Sequence, residues 1–242
     1  MRLNINPFKR NDLDKTIAQV KQIYAQIDRQ IAVFKKSTGI NCKHNCGHCC
    51  ENPHVYATVI EMFPIAEHLW KSGKAERIIE QINNTHVQSR CIFYQPDLSV
   101  PGNGKCTIYP YRASLCRLFG FSAKRDKHNN PMLVTCSVIK KLYPHEVENL
   151  KSAQNKVAIP SMGEWSRKLS CIDPYRGTDQ VHINHAIKVA LEKTGLKLQL
   201  RQYNSPRTHF ATIYNRLKYG TIRAIKNIQT ALFGRFRIKR GF

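Results

Sequence analysis

The chain has 242 residues and an ordinary aromatic and aliphatic content, which allows a buried core and excludes wholesale disorder. It carries 39 Lys and Arg against 16 Asp and Glu, a formal net charge of +23. Such a surface favours anionic partners, and no stretch approaches the roughly 20 apolar residues of a membrane span.

The opening MRLNINPFKRNDLDK has neither an apolar h-region nor a small-residue cleavage site. The expected location is therefore cytoplasmic. In a reducing compartment, clustered cysteines point to metal ligation rather than disulfides, and the odd total of nine argues against complete pairing.

Residues 11 to 37 predict a long helix. Leu13, Ile17, Val20, Tyr24, Ile27, Ile31 and Phe34 form an unbroken seam at alternating spacings of four and three. Such a seam packs along the domain's own flank or pairs in a coiled-coil dimer, and the first is expected. Gly39 ends the helix.

The run NCKHNCGHCC follows, at residues 41 to 50. HVYAT then predicts a short strand. Thr58 and Glu61 have capping-box spacing for a helix running to about Lys71, with Pro64 kinking it or delaying its start. A second helix is expected from Ala75 to about Val87. CIFYQPDLSVPGNGKCTIY reads as a loose hairpin bringing Cys91 towards Cys106.

PYRASLCRLFG predicts a short helix with Pro110 in its first position and Gly120 at its end. PMLVTCSVI predicts a strand containing Cys136. Helices are expected around 144–157, 162–170, 182–194 and 209–233. From Ala186 to Phe242 there are 13 basic residues and one acidic residue, Glu192. That end is expected to be a basic helical extension, with a core-facing helix bearing a solvated outer face as the plain alternative.

Thiolates are soft, anionic ligands suited to zinc and iron–sulfur clusters. Crowded thiolates repel one another, and a bound metal removes that cost and contributes to folding. Cys42, Cys46, Cys49 and Cys50 therefore read as ligands. Adjacent Cys49 and Cys50 cannot both reach one ion easily, which leaves one of them for a second metal or another corner of a cluster. Candidates for the further ligands such a site needs are Cys91, Cys106 and Cys116. A C-x3-C-x2-C run also occurs in radical enzymes that use S-adenosylmethionine. Here it follows a long helix, no GGE appears, and a fourth cysteine crowds the open iron corner.

CKHNCGHCC, then CIFY, then CTIYPYRASLCRLFG, resembles the zinc- or iron-chelating cysteine-cluster proteins of the YkgJ type, over roughly residues 38 to 140. The matching positions are Cys42, Cys46, Cys49, Cys50, Cys91, Cys106, Ile108, Tyr109, Arg112, Cys116 and Arg117. Ala113 stands where that family usually has proline. The same signature is similar to that of flagellin lysine N-methylase, an iron–sulfur protein. The resemblance implies a metal set of all seven cysteines, with zinc or an iron–sulfur cluster bound.

Arg112 and Arg117 flank Cys116 and are expected to offset the charge of a metal–thiolate centre. Cys136 is left open between ligand and buried thiol. Cys171 reads as an ordinary thiol, and His44, His48 and His54 as loop residues.

The expected fold is α+β, mainly α. It has an amphipathic helix over 1–39, a cysteine-rich, metal-centred domain with small β elements over 40–175, and a basic helical extension over 176–242. The expected function is a chelating, redox or interaction module. An iron–sulfur enzyme that modifies protein, such as a lysine N-methylase using S-adenosylmethionine, is the alternative, and no catalytic residue is assigned. Nucleic acid, a ribosome or an acidic protein are the expected partners of the extension, with peripheral membrane contact a further possibility.

Overall fold

The computed structural model describes residues 12–86, 89–128, 131–152 and 157–203. The chain forms two compact units, 1–194 and 195–242, and the first holds every element discussed below apart from the end of the last helix.

Helix α1 (Asp12–Thr38) follows the predicted seam. Ile17, Val20, Tyr24, Ile27, Ile31 and Phe34 are all buried in the chain's own core, and Leu13 is half-buried against it. Each such side chain contributes about 1.5–3 kcal/mol of gross burial energy. The seam is thus spent within the chain, on the flank. Gly39, at φ +74°, ends the helix in the left-handed region.

Strand β1 (Tyr56–Thr58) leads into a 3₁₀ turn (Ile60–Met62) and helix α2 (Phe63–Lys71). Pro64 sits in the first turn of α2, where its missing N–H costs nothing, so it delays the α-helix rather than kinking it. Helix α3 (Ala75–Asn83) stops short of the expected Val87. The loose hairpin is present as β2 (Tyr94–Pro96) antiparallel to β3 (Gly104–Cys106), with Tyr94 opposite Cys106.

The next segment departs from expectation. Pro110 lies in a separate 3₁₀ turn (Tyr109–Tyr111), and helix α4 (Ser114–Leu118) begins only after Arg112 and Ala113 pass through extended backbone. Gly120, at φ +93°, closes that segment.

Strands β4 (Ser122–Arg125) and β5 (Pro131–Val134) form a second hairpin. Cys136 is therefore outside the strand: it is the N-cap of helix α5 (Ser137–Leu142), its sulfur accepting from the Ile139 N–H. Helices α6 (Pro144–Ser152) and α7 (Met162–Ser170) follow. Strand β6 (Gln180–His182) pairs antiparallel with β1, and helix α8 (Ile183–Tyr203) runs on past the expected 194.

The molecule is mainly helical, with three two-stranded antiparallel sheets among the described residues. Helix α1 packs against α2, α4 and α7. The Trp165 indole N–H donates to Gln30 at 2.9 Å, and the Trp70 indole N–H to the Leu191 carbonyl at 2.8 Å. The basic helix expected over 209–233 lies outside the described residues. Among the described residues no helix is long and apolar enough to cross a membrane.

Candidate metal centre

Three chain segments carry the predicted cysteines to one neighbourhood, and each is anchored differently. The first is the run from Cys42 to Cys50. Asn45 takes a positive φ of 53°, unusual outside glycine, and turns the chain so that Cys46 pairs with Asn103 as an isolated β-bridge. The Gly47 N–H donates to the Gly102 carbonyl at 3.2 Å, and the Gly104 N–H to the Asn45 carbonyl at 3.0 Å. The cysteine run is thereby stitched to the β2–β3 turn. A 3₁₀ turn (His48–Cys50) follows, closed by the Cys50 N–H on the Gly47 carbonyl at 2.8 Å.

The hairpin itself is the second segment. Its entry is held by Asn184, a buried residue at the start of α8. The Asn184 Oδ1 accepts from the Ile92 N–H at 2.9 Å, and its amide donates to the Arg90 carbonyl at 3.0 Å and to Ser89 Oγ at 3.2 Å. His182, two residues earlier, contacts the Pro53 carbonyl through Nε2 at 2.8 Å, which fixes the chain leaving the first cysteine run. Burial raises the Cys91 and Cys106 thiols, and the nearby N–H groups of Phe93 and Tyr94, and of Ile108, oppose that rise; the Tyr94 N–H donates to the Cys91 carbonyl at 2.9 Å.

Helix α4, which carries Cys116, is the third. Buried Glu61 meets its first residue: Oε1 accepts from the Ser114 N–H at 2.9 Å and from the Ser114 hydroxyl. The other oxygen, Oε2, accepts from the Thr58 N–H and hydroxyl, both at 2.9 Å. On the far side of Cys116, Arg117 is buried. Its guanidinium donates to Asp28 on α1 and to the carbonyls of Pro110 and Arg112, and stacks on Tyr24 at 4.3 Å.

All nine cysteines are free thiols. Cys42 lies within electrostatic reach of Cys46, Cys49 and Cys136, and Cys49 and Cys50 hydrogen-bond to each other. Cys50 lies in reach of Cys116 and Cys106, and Cys116 of Cys91, Cys49 and Cys106. Among the described residues, no three or more His, Cys, Asp or Glu are arranged to hold a metal ion as the side chains stand. The thiols are gathered but not yet closed around a point.

The thiols differ sharply in acidity. The hydrogen bond from Cys50 brings Cys49 down to about 7, helped by its own N–H and the Arg112 charge, against the opposing pull of burial. The same hydrogen bond, with burial, holds the proton on Cys50 far above the usual thiol range. Burial pushes Cys91 up to about 12 and raises Cys116 well above the ordinary value. Cys42 and Cys106 are also raised by burial.

The two arginines are placed differently. Arg117 spends its donors on Asp28 and two carbonyls. Arg112 stacks on the Tyr109 ring at 3.6 Å, and its buried Nε and Nη1 have no hydrogen-bond partner. Its charge favours the thiolate forms of Cys49 and Cys106. A half-buried guanidinium with two buried N–H groups that lack acceptors, within reach of two thiols, fits an anionic metal–thiolate group in charge and chemistry.

Of the residues left open, Cys136 is brought within reach of Cys42 by its place at the head of α5. His48 bridges towards the same helix, its Nε2 lying 3.3 Å from Ser137 Oγ. Cys171 is exposed at the end of α7 and lines a groove with Gln22, Gln26 and Arg167. Glu61, His182 and Asn184 were not legible as site residues. The capping-box spacing flagged Glu61 for its own turn alone, and nothing local marks the other two.

Residues 41–137 match the family model described as "CxxCxxCC: Putative zinc- or iron-chelating domain". Comparison with curated proteins and with solved structures finds no match.

Proposed function

We propose that the chain, whose residues 41–137 match the CxxCxxCC family model, binds zinc or an iron–sulfur cluster through Cys42, Cys46, Cys49, Cys50, Cys91, Cys106 and Cys116, as a chelating or redox module. The observation that carries this reading is the meeting of three separately anchored cysteine segments, two of them within reach of the charge of Arg112, whose buried Nε and Nη1 lack acceptors. Deprotonated thiols crowded in this way repel, and a bound cation converts that repulsion into binding and folding energy. The metal would supply charge neutralisation and, as a cluster, electron storage. The chain's part is to bring the cysteine segments together and to set Arg112 against their charge.

Because the side chains do not stand closed around a point, binding requires the thiols to turn inward. The basic end supplies a second, electrostatic element of the proposal: 13 basic residues against one acidic from 186 onwards suit an anionic partner such as nucleic acid, a ribosome or an acidic protein.

The test is the metal content of variants purified without air. Cys46→Ala and Cys116→Ala should each lose most of the bound metal, and Cys171→Ala should keep it. Full metal in Cys116→Ala would remove the distant segment from the site.

A further inference from the structure

Glu61 is a buried acid with no ion-pair partner among the salt bridges of the described residues, yet both of its carboxylate oxygens are fully occupied. Four donors reach it, two from Thr58 and two from Ser114. Burying a carboxylate is costly unless hydrogen bonds replace its hydration, and here they do. The unusual feature is where the donors come from. Thr58 ends the strand that follows the first cysteine run, and Ser114 begins the five-residue helix that carries Cys116.

So short a helix has little stability of its own. Its place is fixed by tertiary anchors, and two of them straddle Cys116. Ser114, two residues before, is tied to Glu61. Arg117, one residue after, is tied to Asp28 and to the turn at Pro110–Arg112. The Glu61 main chain is itself held, its carbonyl accepting from the buried Tyr24 hydroxyl at 2.8 Å. The anchor therefore rests on α1 as well as on β1.

We propose that Glu61 is the positioning residue of the thiol site: it braces the start of α4 against β1 and so sets Cys116 in reach of Cys91, Cys106 and Cys50. This extends the metal-site reading above, but the brace operates whether or not metal is bound. A capping-box acid serving its own turn would need only Thr58. Capture of a helix start 53 residues away is what assigns the second role.

The experiment uses the full, metal-free, reduced chain. The rate of alkylation by iodoacetamide is read at each cysteine by mass spectrometry, beside a melting curve. Glu61→Gln can still accept through one oxygen but cannot serve four donors. Ser114→Ala removes one hydroxyl donor and leaves the backbone bond. The Glu61 charge itself helps to raise the Cys116 thiol, so Glu61→Gln speeds Cys116 alkylation even with the brace intact. Ser114→Ala, which keeps that charge, is the deciding variant: it should speed alkylation of Cys116 selectively, by about threefold, with Cys91 unchanged.

Equal acceleration at Cys91 and Cys116 would show general loosening and overturn the proposal. So would an unchanged Cys116 rate in a folded Ser114→Ala. Zinc affinity of the same variants separates this from the metal reading. A loss of about tenfold in Glu61→Gln that disappears in a Cys116→Ser background supports the brace. A parent chain that binds neither zinc nor iron defeats the metal reading alone, and the alkylation result still decides the brace.

Discussion

Gly47 lies so close to the Tyr94 ring that a Cβ at that position would meet the ring atom Cε2 at 2.7 Å. Gly104 crowds the same atom, at 2.6 Å. The ring is held where the cysteine run meets the hairpin, and its hydroxyl reaches the Asn103 carbonyl at 3.3 Å. Neither glycine has a positive φ, so both are there for space rather than for backbone freedom. Gly104→Ala would also press on the Gln95 carbonyl, at 2.7 Å. Each alanine should cost about 1–3 kcal/mol in denaturant unfolding. A neutral Gly47→Ala would show that the ring yields and that this junction is loose.

The Asn184 side chain makes three hydrogen bonds to residues 89–92 just ahead of the hairpin. Asn184→Asp keeps the acceptor for the Ile92 N–H but loses both amide donors. Asn184→Leu loses all three bonds and leaves buried groups unpaired. The expected cost is about 1–3 kcal/mol for the aspartate and more for the leucine. Chemical unfolding checks this, and Cys91 should become the thiol most accelerated in alkylation.

Arg112 should be read through the acidity of its neighbours. Its positive charge favours the thiolate of Cys49, so Arg112→Ala should raise the pH at which Cys49 becomes reactive from about 7. Cys106 should move in the same direction. Arg112→Lys keeps a charge but not the stacked fork on Tyr109, and it should fall between the two. Site-resolved alkylation across pH measures this in the metal-free chain. An unmoved Cys49 profile would separate Arg112 from the thiols.

Stability of the metal-free chain should fall in alkali. Burial holds the Cys91 thiol neutral, raising it from the ordinary value of 9.0 to about 12. Below about pH 9 the thiol is protonated both folded and unfolded, and its contribution is fully present. Between 9 and 12 the unfolded chain loses the proton first, so folding stability declines as pH rises. Cys116 adds to the loss in the same direction. Denaturation midpoints taken across this window should drop, and Cys91→Ser should flatten part of the slope.

The elements that the sequence made legible are those with dense local signals. Helix α1 shows itself because seven apolar residues keep one seam and Gly39 stops it. The hairpin shows itself because aromatic ends flank a Pro/Gly turn. Pro110 misled because proline suits the first turn of a 3₁₀ segment as well as that of an α-helix. Cys136 misled because the apolar run PMLVTCSVI carries no mark of where the β4 partner ends.

Within the site, the cysteines announce themselves by crowding, since few other roles need four thiols in nine positions. Their supports do not. Glu61 reaches Ser114 across 53 residues, and Asn184 reaches Ile92 across 92, so neither bond leaves a periodic trace in the chain. Arg112 and Arg117 look equivalent as letters. Only folding shows that one is occupied by Asp28 and two carbonyls while the other keeps buried donors without acceptors.

The most direct measurement is elemental and acid-labile sulfide analysis of the full chain, purified reduced and without air. Convergence of the thiols upon a metal predicts stoichiometric zinc in a colourless protein, or iron with matching sulfide in a brown one. A folded, fully reduced chain containing neither element, and taking up neither when offered, would contradict it.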